Sequence, residues 1–161
     1  MARTTFSGPL ASANGSIHNG RVSIGATGTI SAAALATTGY ITCTSAAATT
    51  ITLPIAVTAG VVQGLVPALN ASAGQKFTFI VDNTAGASAV TIAVGTGGTL
   101  SDAANTTAAS FGDVTLASGV RGMAQFTLMF TGGLTAPTAA NPQPNQALPG
   151  TATGYTLTRT A

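Results

Sequence analysis

Glutamate and tryptophan are missing from this chain, cysteine and histidine occur once each, and only 5% of its 161 residues are charged. Ordinary soluble domains carry about 25% charged residues. Each shortage excludes something. A single cysteine, Cys43, cannot close an internal disulfide, and its place in a β-rich run makes it a small buried hydrophobe. One histidine, His18, and three separated aspartates, Asp82, Asp102 and Asp113, supply neither a metal-ligand cluster nor an imidazole beside an acid and a nucleophile. His18 lies in an apparent turn, IHNG, and Asp82 and Asp102 sit where aspartate serves turns. The glycine loops GATGTI (25–30) and GTGGTL (95–100) lack a following lysine, and no helix is expected behind them, so they do not read as phosphate loops. Catalysis is therefore not expected, and no cofactor or metal is expected either.

The bases are equally sparse. Arg3, Arg21, Lys76, Arg121 and Arg159 are scattered along the chain and leave a net charge of +2. Nucleic acid is gripped by clustered Lys and Arg, so no nucleic-acid partner is expected despite a pI near 9.2. The most apolar stretch, Leu53 to Leu69, is broken by Pro54, Gly60, Gln63, Gly64 and Pro67. It falls short of the ~20 apolar residues that span a bilayer. The opening TTFSGPLASANGSIHNG (4–20) has neither the basic cluster nor the apolar run of a secretion leader. No membrane partner is expected.

What is present is β-forming. Val, Ile, Leu and Phe make up 35 of the 161 residues, just above the ~20% below which highly charged chains stay unfolded. They are concentrated in short alternating runs. ATTITLPI (48–55) puts Ile51, Leu53 and Ile55 on one side. KFTFIVDN (76–83) sets Phe77, Phe79 and Val81 against Thr78, Ile80 and Asp82. SAVTIAVGT (88–96) aligns Val90, Ile92 and Val94, and AQFTLMFT (124–131) turns Phe126, Leu128 and Phe130 inward. TGYITCTS (38–45), with Tyr40 offset from the Ile41–Cys43 face, DVTLAS (113–118) and GYTLTRT (154–160) complete the set. Period-two alternation predicts half-buried strands. DNTAGAS (82–88) reads as a hairpin connection. SAAALA (31–36) and DAANTTAAS (102–110) are too short in apolar stripe for a real helix, and no fixed-period repeat is found.

The ends differ from the middle. Residues 1–19 form an extended N-terminal arm with no helical period. Residues 20–133 form the sandwich, and residues 134–161 form a proline-rich segment and terminal strand, with Pro137, Pro142, Pro144 and Pro149 holding the segment extended. That strand completes either its own sheet or a neighbour's. The expected fold class is all-β: a jelly-roll-like antiparallel β-sandwich, one domain, with an extended N-terminal arm and a crossing C-terminal segment.

Two stretches carry a family resemblance. RTTFSGPLASANG (3–15) is similar to the opening of many small virion proteins of tailed bacteriophages. TTITLP, then AGQKFTFIVDN, then VTIAVGTGGTL, within residues 48–100, resembles the strand pattern of jelly-roll capsid decoration (cement) proteins. Together they cover under half of the chain, and the apolar insertion within 55–73 departs from the pattern. The resemblance implies a structural protein on the outer capsid surface of a virion, made in the host cytoplasm, that bridges major capsid protein subunits. It implies self-association as a trimer, or else a dimer. Arg3, Phe6, Pro9 and Leu10 are then the first candidates for capsid or neighbour contact, with Phe6 the natural anchor. The alternative is a receptor- or glycan-binding domain of a phage fibre, for which the only stacking aromatics of the right kind are Tyr40 and Tyr155.

Overall fold

A computed structural model describes residues 20–57, 64–101, 114–132 and 152–160. Ten strands are found there: β1 (Val22–Ile24), β2 (Gly28–Thr29), β3 (Tyr40–Cys43), β4 (Thr49–Thr52), β5 (Lys76–Asp82), β6 (Val90–Ala93), β7 (Gly98–Leu100), β8 (Thr115–Leu116), β9 (Met123–Thr131) and β10 (Gly154–Arg159). Two short helices, α1 (Ala32–Thr38) and α2 (Leu65–Leu69), lie between them. The strands make a six-stranded sheet, β1-β3-β5-β9-β10-β7, and a four-stranded sheet, β2-β4-β6-β8. The all-β expectation holds.

The chain alternates between the sheets. β1, β3 and β5 enter the larger sheet, and β2, β4 and β6 enter the smaller, so each successive pair stacks on the last as one coil. Val22 lies beside Ile41 and Ile41 beside Val81; Gly28 lies beside Ile51 and Ile51 beside Ile92. All four contacts are parallel. The coils are unequal: 19 residues separate the first pair of matched positions (22 to 41) and 40 the next (41 to 81). A stack with no constant period leaves no fixed repeat to find in the sequence.

The antiparallel sandwich is thereby corrected. Five pairings are parallel: β1 with β3, β3 with β5, β2 with β4, β4 with β6, and β7 with β10. Only β5 with β9, β9 with β10, and β6 with β8 are antiparallel. Apolar alternation looks the same in both kinds of strand; direction is set by the connections. The segment 82–88 is not a hairpin, because β5 and β6 belong to different sheets. Asn83, fully buried, turns this corner. Its main-chain N–H donates to Gly122 O (2.7 Å), and its Nδ2 donates to Ser88 O (2.9 Å) and Ala117 O (3.0 Å). The amide oxygen is left without a partner, seated against Gly86.

SAAALA also departs from expectation, forming most of a seven-residue helix. Ser31 caps it, its hydroxyl accepting from Ala34 N–H (3.1 Å), and Gly39 ends it in the left-handed region. One residue, Leu35, is fully buried, and that single anchor replaces an apolar stripe. Helices α1 and α2 form the return paths of the first two coils and lie against each other.

The core lies between the sheets. Ile41, Cys43, Phe79, Val81, Phe126, Leu128 and Leu157 from one side meet Ile51, Val90, Ile92 and Leu116 from the other, all at most 1% exposed. Phe79 and Phe126 stack with ring centroids 5.6 Å apart. The inward faces expected for 76–83 and 124–131 are the observed ones. Ile55 is the exception at 36% exposure, because β4 ends at Thr52.

The terminal strand completes its own sheet, between β9 and β7. Tyr155 fastens it: fully buried, its hydroxyl donates to Pro54 O (2.8 Å) and accepts from Gly95 N–H (3.0 Å). Its ring occupies the space where Gly98 has no side chain. Tyr155→Phe leaves a buried carbonyl and a part-buried N–H unpaired and is expected to lower unfolding stability by about 1–3 kcal/mol in urea titration, with the far-ultraviolet spectrum unchanged. A loss below about 0.5 kcal/mol would show that water replaces the hydroxyl.

Candidate functional site

Arg3, Phe6, Pro9, Leu10 and His18 fall outside the described residues, as does the proline-rich segment. What the described residues offer a partner is the outer surface of two sheets. On the smaller sheet, inward Ile51, Val90, Ile92 and Leu116 force their neighbours outward. Thr29, Thr50, Thr52, Thr91 and Thr115, with Ala93, therefore form one face, and none of its strands contains a charged residue. Thr91 and Thr115 hydroxyls lie 3.2 Å apart, and Thr50 N–H donates to Thr27 Oγ1 (3.1 Å).

The larger sheet repeats the chemistry on a wider area. Thr78 and Thr127 hydroxyls are 3.3 Å apart, Thr99 and Thr156 3.1 Å, and Thr127 and Thr160 3.4 Å. Among these threonines stand Met123 and Met129, 49% and 43% exposed, and the exposed Lys76. Short β-branched side chains suit a pleated surface, and they lose little rotamer freedom when another surface covers them.

One polar network interrupts this face. The Tyr40 hydroxyl donates to Asp82 Oδ2 (2.6 Å), while Asp82 Oδ1 accepts from Thr84 Oγ1 (2.6 Å) and Thr84 N–H (2.9 Å). The parallel register of β3 and β5 brings Tyr40 beside Ile80 and Thr42 beside Asp82, so residues 42 apart in sequence meet. The hydroxyl bonds from Thr84 and then Tyr40 hold the Asp82 carboxyl below its usual range. The same bond to Asp82, with burial, raises the Tyr40 phenol, against a smaller lowering from the Arg21 guanidinium. Tyr40 was readable in the sequence as outward-facing; Asp82 read only as a turn residue, since nothing local marks its distant partner.

Cys43 faces the core, fully buried, and burial pushes its thiol up to about 11. A shallow depression of about 340 Å³ at one end of the larger sheet is lined by Leu69, Ala71, Gln75, Lys76, Phe77 and Phe130. Among the described residues no three of His, Cys, Asp and Glu lie close enough to hold a metal ion. No helix among them is long and apolar enough to cross a membrane. The loop GATGTI does precede a helix, contrary to expectation, but it has no lysine, and the Ser31 side chain caps the helix.

No family model, curated protein or solved structure matches this chain.

Two outcomes follow from the titrating groups. Asp82 contributes stability that is complete above the ordinary carboxylate value of about 3.9 and is lost as pH falls through its lower folded value. The melting temperature of the wild type should therefore drop below about pH 4, and Asp82→Asn should flatten that drop. Superimposable acid profiles for the two proteins would contradict the network. Cys43 should resist an aromatic disulfide reagent at pH 8 in the folded chain and react fully once urea unfolds it; prompt reaction of the native thiol would contradict its burial.

Proposed function

We propose that this chain is a structural virion protein that binds the outside of a bacteriophage capsid and stabilises it by bridging major capsid protein subunits, as a decoration or cement protein. The observation that carries the reading is the pair of threonine faces on a two-sheet body, the smaller uncharged and the larger bearing only Lys76 and Asp82 on β5 among its threonines. Covering such a face strips few ions of water and freezes few long side chains, so shape and apolar contact are enough to hold it. The resulting contact is weakly sensitive to salt. The resemblance of residues 3–15 and 48–100 to phage virion proteins supports the same reading. The jelly-roll assignment belongs with it, and the parallel stacking of the first three coils is a departure from that pattern.

On this reading the chain acts without catalysis, cofactor, nucleic acid or membrane. It associates with itself, as a trimer or else a dimer, and is made in the host cytoplasm before it joins the shell. Arg3, Phe6, Pro9 and Leu10 of the N-terminal arm grip the capsid or a neighbouring copy. Deleting residues 2–12 should leave a cooperatively folding body, because among the described residues the core from Ile30 to Leu157 already joins both sheets. Binding to expanded heads should be lost. A truncated chain that still decorates heads to full occupancy would sink the arm's role.

A second reading, a glycan-binding fibre domain, rests on Tyr40 alone. Tyr155 is fully buried with its hydroxyl engaged, whereas Tyr40 is half-exposed beside an ordered carboxylate. Tyr40→Ala separates the two: it should abolish glycan retention if the fibre reading holds and leave head binding intact if it does not.

A further inference from the structure

The depression at the end of the larger sheet is built around a closed turn. Helix α2 ends at Leu69, Asn70 takes the left-handed conformation, and Ala71 N–H returns to Val66 O (2.9 Å). The chain then turns into β5. Gln75 N–H donates to Ser72 O (3.1 Å), and Ser72 N–H donates to Gln75 Oε1 (2.9 Å). β9 clamps the same turn, since Gly74 N–H donates to Phe130 O (2.8 Å) and Phe130 N–H donates to Gln75 O (2.9 Å). Hydrogen bonds within the body hold the walls in place, so the depression is preformed, as ligand sites usually are.

Two kinds of group line it. Ala71 and Phe130 are buried and Leu69 and Phe77 half-buried, so they make an apolar floor; Gln75 and Lys76 are exposed and stand at the mouth. Phe77 is braced by stacking on Phe79, with ring centroids 6.4 Å apart. Both polar side chains present donors. The Gln75 amide oxygen is engaged by Ser72 N–H, which leaves the NH2 end to meet a ligand. The Lys76 ammonium carries three N–H groups and no acceptor. A cation meets like charge here, and a neutral alcohol satisfies only part of the pairing. A carboxylate accepts from both.

The geometry points to a binding site for a small amphipathic carboxylate. Its alkyl tail lies on Leu69, Phe77 and Phe130, and its head group accepts hydrogen bonds from Lys76 Nζ and Gln75 Nε2. A volume of about 340 Å³ is at the lower end of the roughly 300–1,000 Å³ of ligand pockets, so the tail is short. The depression is shallow and the head group stays wet, so pairing with Lys76 supplies selectivity more than affinity. The inference does not rest on the capsid reading, and either can fail alone.

Titration of the full chain with sodium octanoate, below its micelle concentration, tests it in proton–nitrogen correlation spectra. The amide signals of Leu69 and Phe77 and the side-chain amide of Gln75 should move together and saturate. Octan-1-ol should bind more weakly, and octylammonium more weakly still. Lys76→Gln, a change at an exposed side chain, should weaken octanoate about fivefold and leave octan-1-ol as it was. No saturable movement of these signals would overturn the inference. Octylammonium binding as tightly as octanoate, or octanoate indifferent to Lys76→Gln, would also overturn it by removing the carboxylate from recognition. Movement of the same signals on diluting the protein alone would overturn it in favour of a second copy seated there.

Discussion

Main-chain hydrogen bonding between parallel strands of successive coils is the interaction on which the rest of this molecule depends. A chain with so few large apolar residues has little side-chain material to spend, and the ladders make it count. They place Ile41 on Val81 and Ile51 on Ile92, so the apolar residues form continuous rows facing one another across a thin interior. The same register sends threonine outward on neighbouring strands, which is why hydroxyls meet in pairs across both faces.

The later strands lock that stack. β9 runs antiparallel to β5 and carries four inward residues, Ala124, Phe126, Leu128 and Phe130. β10 then joins β9 on one side and β7 on the other. Through Tyr155 it reaches Pro54 and Gly95, tying the end of the chain to loops of the second and third coils. Asn83 does the equivalent at the opposite corner, tying the β5–β6 turn to the segment before β9. Two buried polar side chains thus hold together what a larger core would hold by area alone.

How far the sequence could be read follows from what is local. The inward faces of 76–83 and 124–131, and the outward offset of Tyr40, were legible because alternation is a property of one strand. Strand direction was not legible, because Ile51 alternates with Thr50 and Thr52 whether its neighbours run parallel or not. Nor was the stack, since its matched positions are unequally spaced. Helix α1 was missed because one leucine and two caps stabilise it, where a stripe was sought. β1 and β2 escaped because Val22–Ile24 and Gly28–Thr29 are shorter than the runs in which a period can be recognised. Asp82 became interesting only when register brought Tyr40 to it across 42 positions.

The proposed function is that a two-sheet body with little charge adheres to a protein shell through its threonine faces and an N-terminal arm. Its most direct test is the ratio of this chain to the major capsid protein in purified virions, measured by quantitative mass spectrometry. The account predicts a copy number that is a simple fraction of the capsid-subunit count, as repeated lattice sites require. A ratio confined to the few copies of a tail or fibre, or absence of the chain from the particle, would contradict it.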